Sequence, residues 1–406
     1  FLDEMLPIVI EHFQDQTSVI KRETAMRALS QIIEHTGYVI DPLIKYPKLL
    51  DIILNKIKRE ESPGTKCELV KLLGIIGALD PYKYKELQIN MIEANDKLPP
   101  AEGLMKGISL QSEDYFPNIA LSTFIKFLRN PYGSLAPYQP DVIQATMTVF
   151  KHLGAKSVEY VDMFLPLFRH VMKFCGESMI GLRELVFQQL CVLVSIIQHH
   201  TRDYLTPLFE MINEYWDNPK LTTQIIILVE EIAFVLNDEF APCLAASLPR
   251  MLVTLQKDQT ANYQATLRIL HALLVFGELL DDHMHGIIPV IIQLLEPGAN
   301  PHIPPSPRGI AQPPTTYPPE VIIAALFCIG QLALQHNLTK YSLTIIHPLC
   351  KLLCNAQYCG SPMSLLSGSG SVQLTIQEAV LDTLCNLLLT MDEDFVVFIP
   401  MVQNAI

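Results

Sequence analysis

Asp281-Asp282-His283-Met284-His285 gathers two carboxylates and two imidazoles within five positions, the residue types that hold zinc or manganese. The same aspartates stand just before the apolar run Ile287–Leu295, where a carboxylate caps a helix and meets the positive end of its dipole. The cap is the reading adopted. His347, Cys350, Cys354 and Cys359 offer four soft ligands in 13 positions. Structural zinc knuckles place two residues between paired cysteines, whereas three and four intervene here, and Cys350 and Cys354 share a helix face at i, i+4. A buried thiol pair is expected.

Glu230 and Glu231 suggest acid–base work only if both face one cleft. Adjacent helical positions diverge by about 100°, so the pair is read as a solvated edge beside an apolar face. Ser306-Pro307, within Pro304-Pro305-Ser306-Pro307, is the one candidate regulatory phosphosite, and its string also suits a polyproline II ligand. Trp216, the only tryptophan, is expected to close a gap between packed elements rather than stand exposed as an interface anchor. No catalytic, cofactor-binding or metal-ligating residue is assigned.

The elements that would carry these residues are helices. Pro7, Pro47, Pro117, Pro166, Pro207, Pro249, Pro289, Pro348 and Pro400 recur between apolar residues near the start or middle of helical stretches. The intervals from Pro7 to Pro47 and along Pro166, Pro207, Pro249 and Pro289 are 40, 41, 42 and 40 residues. That is the period of stacked helix pairs of the HEAT type, with armadillo repeats as the nearest alternative. An interior proline costs about 3 kcal/mol, so its return at Pro166, Pro207 and Pro249 predicts a kink in each first helix. The pairing is clearest over Val158–Phe174 with Leu182–Gln198, Asp203–Tyr215 with Leu221–Leu236, and Glu239–Leu255 with Tyr263–Leu280, before Met284–Leu295 opens the next unit. Upstream, Phe1–Phe13 and Ser18–His35 form a pair capped by Thr17 or Ser18, and Gly64 is placed in the turn of the second.

The expected fold is all-α, an α-solenoid of about nine HEAT repeats of antiparallel helix pairs, the last truncated. Repeats occupy 1–79, 113–296, 320–354 and 373–406. Inserted loops occupy 80–112, a Pro-rich 297–319 with nine prolines in 23 residues, and a Gly/Ser-rich 355–372.

Half the residues are apolar and 17% are charged, which argues for extensive buried surface. The longest apolar run found, Val321–Gly330, is half the ~20 residues that span a bilayer, so no transmembrane segment is assigned. A net charge of −13 with scattered cations disfavours nucleic acid. Nine cysteines, several within apolar runs, fit a reducing compartment. The chain, beginning at Phe1 without a signal peptide, is read as a piece of something longer.

Several strings resemble one family. Phe13-Gln14-Asp15-Gln16-Thr17-Ser18, Thr36-Gly37-Tyr38-Val39, Lys45-Tyr46-Pro47 and Gly77-Ala78-Leu79-Asp80-Pro81-Tyr82-Lys83 are similar to the central HEAT region of the TOR Ser/Thr kinases. Arg183-Glu184, Phe187-Gln188-Gln189-Leu190, Leu280-Asp281-Asp282, Ile345-Ile346-His347-Pro348 and Phe398-Ile399-Pro400-Met401-Val402 follow in the family's order. The inserts 297–319 and 360–371 depart from its pattern.

The resemblance implies a segment between the N-terminal HEAT array and the FAT domain, a non-catalytic scaffold for nutrient and growth signalling. Its implied partners are a second TOR chain, a Raptor-type adaptor and a Rheb-like small GTPase. The implied location is cytoplasmic, with recruitment to lysosomal or vacuolar membranes through partners. ATP and magnesium would belong to the parent kinase. This segment has no Gly-rich phosphate loop, no His-Arg-Asp string and no Asp-Phe-Gly; Val275 precedes Phe276-Gly277, and His200-Thr201-Arg202-Asp203 has the wrong order. A free-standing HEAT adaptor, karyopherin-like or phosphatase-scaffold-like, shares every periodic feature and is the alternative.

Overall fold

Apolar residues at helical spacing, separated by short polar turns, leave each helix with one face to bury, and stacking is what buries it. The computed structural model describes residues 2–36, 46, 48–78, 114–130, 133–176, 179–258, 260–296, 317–354 and 376–406. The three expected inserts lie outside these residues almost entirely, as do Pro47, Ser306 and Cys359. Among the described residues there is no strand. They fall into two compact units, Phe1–Met211 and Ile212–Ile406.

The first unit contains α1 (Leu2–Gln14), α2 (Val19–Thr36), α3 (Leu49–Arg59), α4 (Pro63–Gly77), α5 (Tyr115–Leu128), α6 (Gln139–Leu153), α7 (Val158–Phe174), α8 (Ile180–Ile197) and the start of α9 (Leu205–Tyr215). The first helix of each pair packs on the second, α1 on α2, α3 on α4, α5 on α6 and α7 on α8. The second helices also pack on one another in chain order, α2 on α4, α4 on α6 and α6 on α8. The second unit repeats the scheme with α10 (Thr222–Leu236), α11 (Ala241–Gln256), α12 (Gln264–Phe276), α13 (Met284–Leu295), α14 (Pro319–Gln335), α15 (Ser342–Cys354), α16 (Ile376–Met391) and α17 (Ile399–Ala405). Here α10, α12, α14 and α16 form the inner row, while α11, α13, α15 and α17 pack in order as the outer row. Neighbours in space are neighbours in sequence, which defines an α-solenoid.

The inner helices carry the heaviest burial. Ile225, Ile226, Leu228 and Val229 of α10 are all sealed from solvent, as an apolar run covered on several sides requires. At Gly77 the approach is closest: a Cβ there would meet the Ala120 Cβ at 2.6 Å and the Val149 Cγ2 at 3.0 Å, so α4 lies against α5 and α6 only because the side chain is absent.

Several expected boundaries move. Gly64 is the second residue of α4, not a turn. Pro207 is the third residue of α9, where no intrahelical donor is needed, so the kink argument does not apply to it. Pro166 and Pro249 do lie inside their helices. The stretch expected to run to Leu280 ends as an α-helix at Phe276, and the chain continues as a 3₁₀ turn over Gly277–His283.

The same device joins successive pairs elsewhere: Gly154, Gln198, Asn237 and Gly277 each end an inner helix at φ near +50° and ψ between −120° and −133°, followed by a 3₁₀ turn. It also divides Ile180–Tyr215, the one stretch among the described residues long and apolar enough by composition to cross a membrane, into α8 and α9. Leu182, Val186, Phe187, Leu190 and Val194 of α8 are core.

Candidate interaction surface

Polar side chains cluster at the turns within pairs. Asp15 Oδ1 accepts hydrogen bonds from the Thr17 amide (2.7 Å), the Thr17 hydroxyl (2.7 Å) and the Ser18 amide (3.1 Å), which hold its carboxyl well below the usual carboxylate range. The Lys21 amide donates to Ser18 Oγ at 3.4 Å, so Ser18 caps α2 as expected. Asp258 repeats the arrangement in the second unit, accepting from the Thr260 amide and hydroxyl at 2.7 Å each, and from the Thr266 amide and hydroxyl at 2.8 and 2.7 Å. The tripeptide Asp-Gln-Thr occurs at both places, residues 15–17 and 258–260, a signal that internal comparison of the sequence could have found.

The paired acids are not a solvated edge. Glu230 is 6% exposed, with His271 Nδ1 at 2.9 Å from Oε1 and Arg268 Nε at 2.8 Å from Oε2. The Arg268 contact is an ion pair whose N–H is not aligned as a hydrogen bond. Burial pushes the Glu230 carboxyl up, against the pull of Arg268 and His271.

Nor does Asp281 or Asp282 cap α13. His283 holds the N-cap position without a side-chain hydrogen bond, because the 3₁₀ turn turns the aspartates elsewhere. Asp281 Oδ1 instead meets Nδ1 of the buried His336 at 2.5 Å, and the Asp282 carbonyl faces His285 Nδ1 at 3.1 Å. Cys350 is buried while Cys354 is exposed, which replaces the expected buried pair with two separate environments. Among the described residues no three His, Cys, Asp or Glu side chains converge as a metal site. Cys328, deep in α14, is pushed up to about 12 by burial. Trp216 is 6% exposed, the packed position expected for it.

What remains is surface. On the inner row of the second unit, Phe234, Phe327, Leu334, Leu388 and Leu389 are exposed. On the outer row, a cleft of about 360 Å³ lies between the 216–222 turn and α11, with Trp216, Pro249, Arg250, Val253 and Lys257 among its walls.

The architecture defines the class: a helical-repeat α-solenoid of the HEAT type. Solved karyopherins share it. Kap121p bound to the SUMO protease Ulp1p is matched over 100% of this chain and 38% of its own, with a TM-score of 0.63 and 12% identity. A Kap121p mutant gives a TM-score of 0.53 at 14% identity, covering 100% of this chain and 40% of that one. These likenesses concern the fold alone.

Sequence gives the family. Residues 39–198 match the serine/threonine-protein kinase mTOR domain. Serine/threonine-protein kinase TOR2 of Saccharomyces cerevisiae is 32% identical across 100% of this chain. Serine/threonine-protein kinase mTor of Drosophila melanogaster is 30% identical across 100%, and TOR of Oryza sativa 33% across 73%. The chain belongs to the TOR family, as a segment: it spans about 15% of the length of the yeast and fly relatives and 13% of the rice one. The karyopherin-like alternative has only the shared fold behind it.

Proposed function

We propose that this segment is a non-catalytic scaffold of a TOR-type Ser/Thr kinase, lying between its N-terminal HEAT array and its FAT domain. The observation that carries the reading is the match to TOR kinases along the entire chain, on a stack of helices in which no His, Cys, Asp and Glu side chains converge as a metal site among the described residues. In a solenoid the small rotation between repeats sets the curvature, and the curvature fixes the spacing of partner surfaces. The partners are a second TOR chain, a Raptor-type adaptor and a Rheb-like GTPase, and they bring the cytoplasmic assembly to lysosomal or vacuolar membranes. ATP and magnesium are bound by the parent's kinase domain, not by this segment. Ser306 is a regulatory phosphosite.

Sedimentation of the purified 406-residue chain with the parent's N-terminal array, and separately with the adaptor, tests this. A stoichiometric complex with at least one is expected. Failure with both would overturn the reading.

A further inference from the structure

We propose that Ser62, in the connection between α3 and α4, is a phosphorylation site for a proline-directed Ser/Thr kinase, and that its phosphate loosens the contact of Arg22 with Glu60 that joins the first two helix pairs.

Ser-Pro or Thr-Pro occurs at Ser62-Pro63, Thr206-Pro207, Ser306-Pro307 and Ser361-Pro362. Of the two among the described residues, only Ser62 stands outside a helix. Its φ of −70° and ψ of 120° are the extended backbone that a following proline favours, and residues 60–62 run between α3 and α4. Its hydroxyl makes no capping hydrogen bond to α4, while Glu61 and Pro63 on either side are exposed. Seating Pro63 and Gly64 in a kinase cleft opens only the first turn of α4, which begins with the hydrogen bond from the Lys66 amide to the Ser62 carbonyl at 3.0 Å. Thr206, by contrast, is the second residue of α9 and is wound into its first turn.

The chemistry is phosphoryl transfer from MgATP bound to the modifying kinase. Ser62 Oγ forms a bond to the γ-phosphorus as the bond to the β-phosphate oxygen breaks and ADP leaves; the hydroxyl proton passes to the kinase's catalytic aspartate. The product carries a charge of about −1.5 to −2 where a neutral hydroxyl stood.

That charge arrives beside a carboxylate already committed elsewhere. The Ser62 amide donates to Glu60 Oε1 at 3.3 Å, and the same carboxylate takes Arg22 Nη2 at 2.9 Å and Nε at 3.1 Å. Glu23 adds a second acid at the α4 start, its Oε1 2.9 Å from where a Gly64 Cβ would stand. Lys66, one turn along α4 with its ammonium on the Glu60 carbonyl at 3.4 Å, brings a single positive charge. A phosphate next to Glu disrupts by like-charge repulsion, and here it also competes with Glu60 for Arg22. The positive end of α4 tolerates the anion, so the modified chain stays folded and the strain falls on the contact between the pairs.

The site stands on Ser62 and its neighbours, independently of the scaffold reading. The 406-residue chain carrying Ser306→Ala and Ser361→Ala is incubated, folded, with MgATP and a mitogen-activated protein kinase, and separately with a cyclin-dependent kinase; incorporation is located by tandem mass spectrometry. Phosphate on Ser62 with at least one kinase is expected, with none on Thr206 and none anywhere after Ser62→Ala. Absence of phosphate from Ser62 with both kinases overturns the inference, as does its appearance there only in the urea-unfolded chain.

Hydrogen exchange of the modified chain reads the consequence. Exchange in the facing parts of α2 and α4 should quicken by about tenfold on phosphorylation, and should stay unchanged in Arg22→Met/Glu60→Met, which has no ion pair to weaken. Circular dichroism checks that this double variant keeps its fold. Unchanged exchange in the phosphorylated parent, or equal quickening in the double variant, would show that the phosphate does not act through Arg22 and Glu60.

Discussion

Arg22 and Glu60 join two successive helix pairs through a two-pronged contact, Nη2 to Oε1 at 2.9 Å and Nε to Oε2 at 3.1 Å, with both side chains nearly buried. Arg22 also donates to the Asp15 carbonyl, and Lys56 donates to the Phe13 carbonyl at 2.6 Å beside them. The turn of one pair is thereby clamped to the end of the next pair's first helix. Removing one charge strands the other, whereas removing both leaves neither charge unpaired. Arg22→Met is therefore expected to cost about 3 kcal/mol, and Arg22→Met/Glu60→Met to recover most of the loss. Urea midpoints of the three chains check it.

The carboxyls of this chain titrate in opposite senses. Burial would raise Glu60, but Arg22 and the Ser62 amide outweigh it, so its folded pKa lies below the unfolded value. Asp15 is depressed by its turn hydrogen bonds. The stability these two contribute is present above the ordinary carboxylate pKa of about 4 and is lost as pH falls through the depressed values. Glu230 is raised, so its contribution is full below the unfolded pKa and is lost as pH rises through the folded one. Glu60→Gln should flatten the loss of stability on acidification, and Glu230→Gln should steepen it. Thermal midpoints between pH 3 and 7 distinguish the two.

At the junctions between pairs, Gly154 and Gln198 adopt nearly the same backbone, φ 55° with ψ −130° and φ 50° with ψ −128°. A side chain is strained there, and glycine is not. Gly154→Ala should destabilise and Gln198→Gly should stabilise, each by about 1 kcal/mol. The second change also tests whether Gln198, whose side chain donates to the Ser195 carbonyl, offsets its own strain. Equal midpoints for Gln198→Gly and the parent would show that it does.

The repeat was legible because proline and apolar spacing are local signals, and Val158–Phe174 and Met284–Leu295 fall where periodicity puts them. The 3₁₀ junctions were not, since a glutamine at Gln198 or an asparagine at Asn237 carries no mark of positive φ; Gly154 and Gly277 alone hinted at it. Glu230 was misread because helical divergence separates it from Glu231 correctly but cannot say that the neighbouring inner helix, α12, supplies Arg268 and His271 forty residues on. Asp281 was misread for the same reason: its partner, His336, is 55 residues away. Gly77 belongs to the Gly77–Lys83 string that resembles the TOR family, and the packing against Ala120 supplies a physical reason for that glycine. Gly77→Ala should cost about 1–3 kcal/mol by overpacking, measurable in the same urea series.

Leu190 lies fully buried on α8, whose neighbours are α7 within its pair and α6 in the inner row. Truncation to alanine leaves a cavity and should cost about 2–5 kcal/mol. In a stack whose repeats are stabilised by nearest-neighbour interfaces, a weakened repeat also withdraws support from the one beside it. Hydrogen exchange of Leu190→Ala is therefore expected to lose protection in α6 and α7 as well as in α8. The inner-row contact of α6 with α4 predicts a smaller loss there, so protection should recover stepwise toward α2. Loss confined to α8 would show that the repeats open independently and would remove the physical basis for a scaffold that transmits curvature along its length.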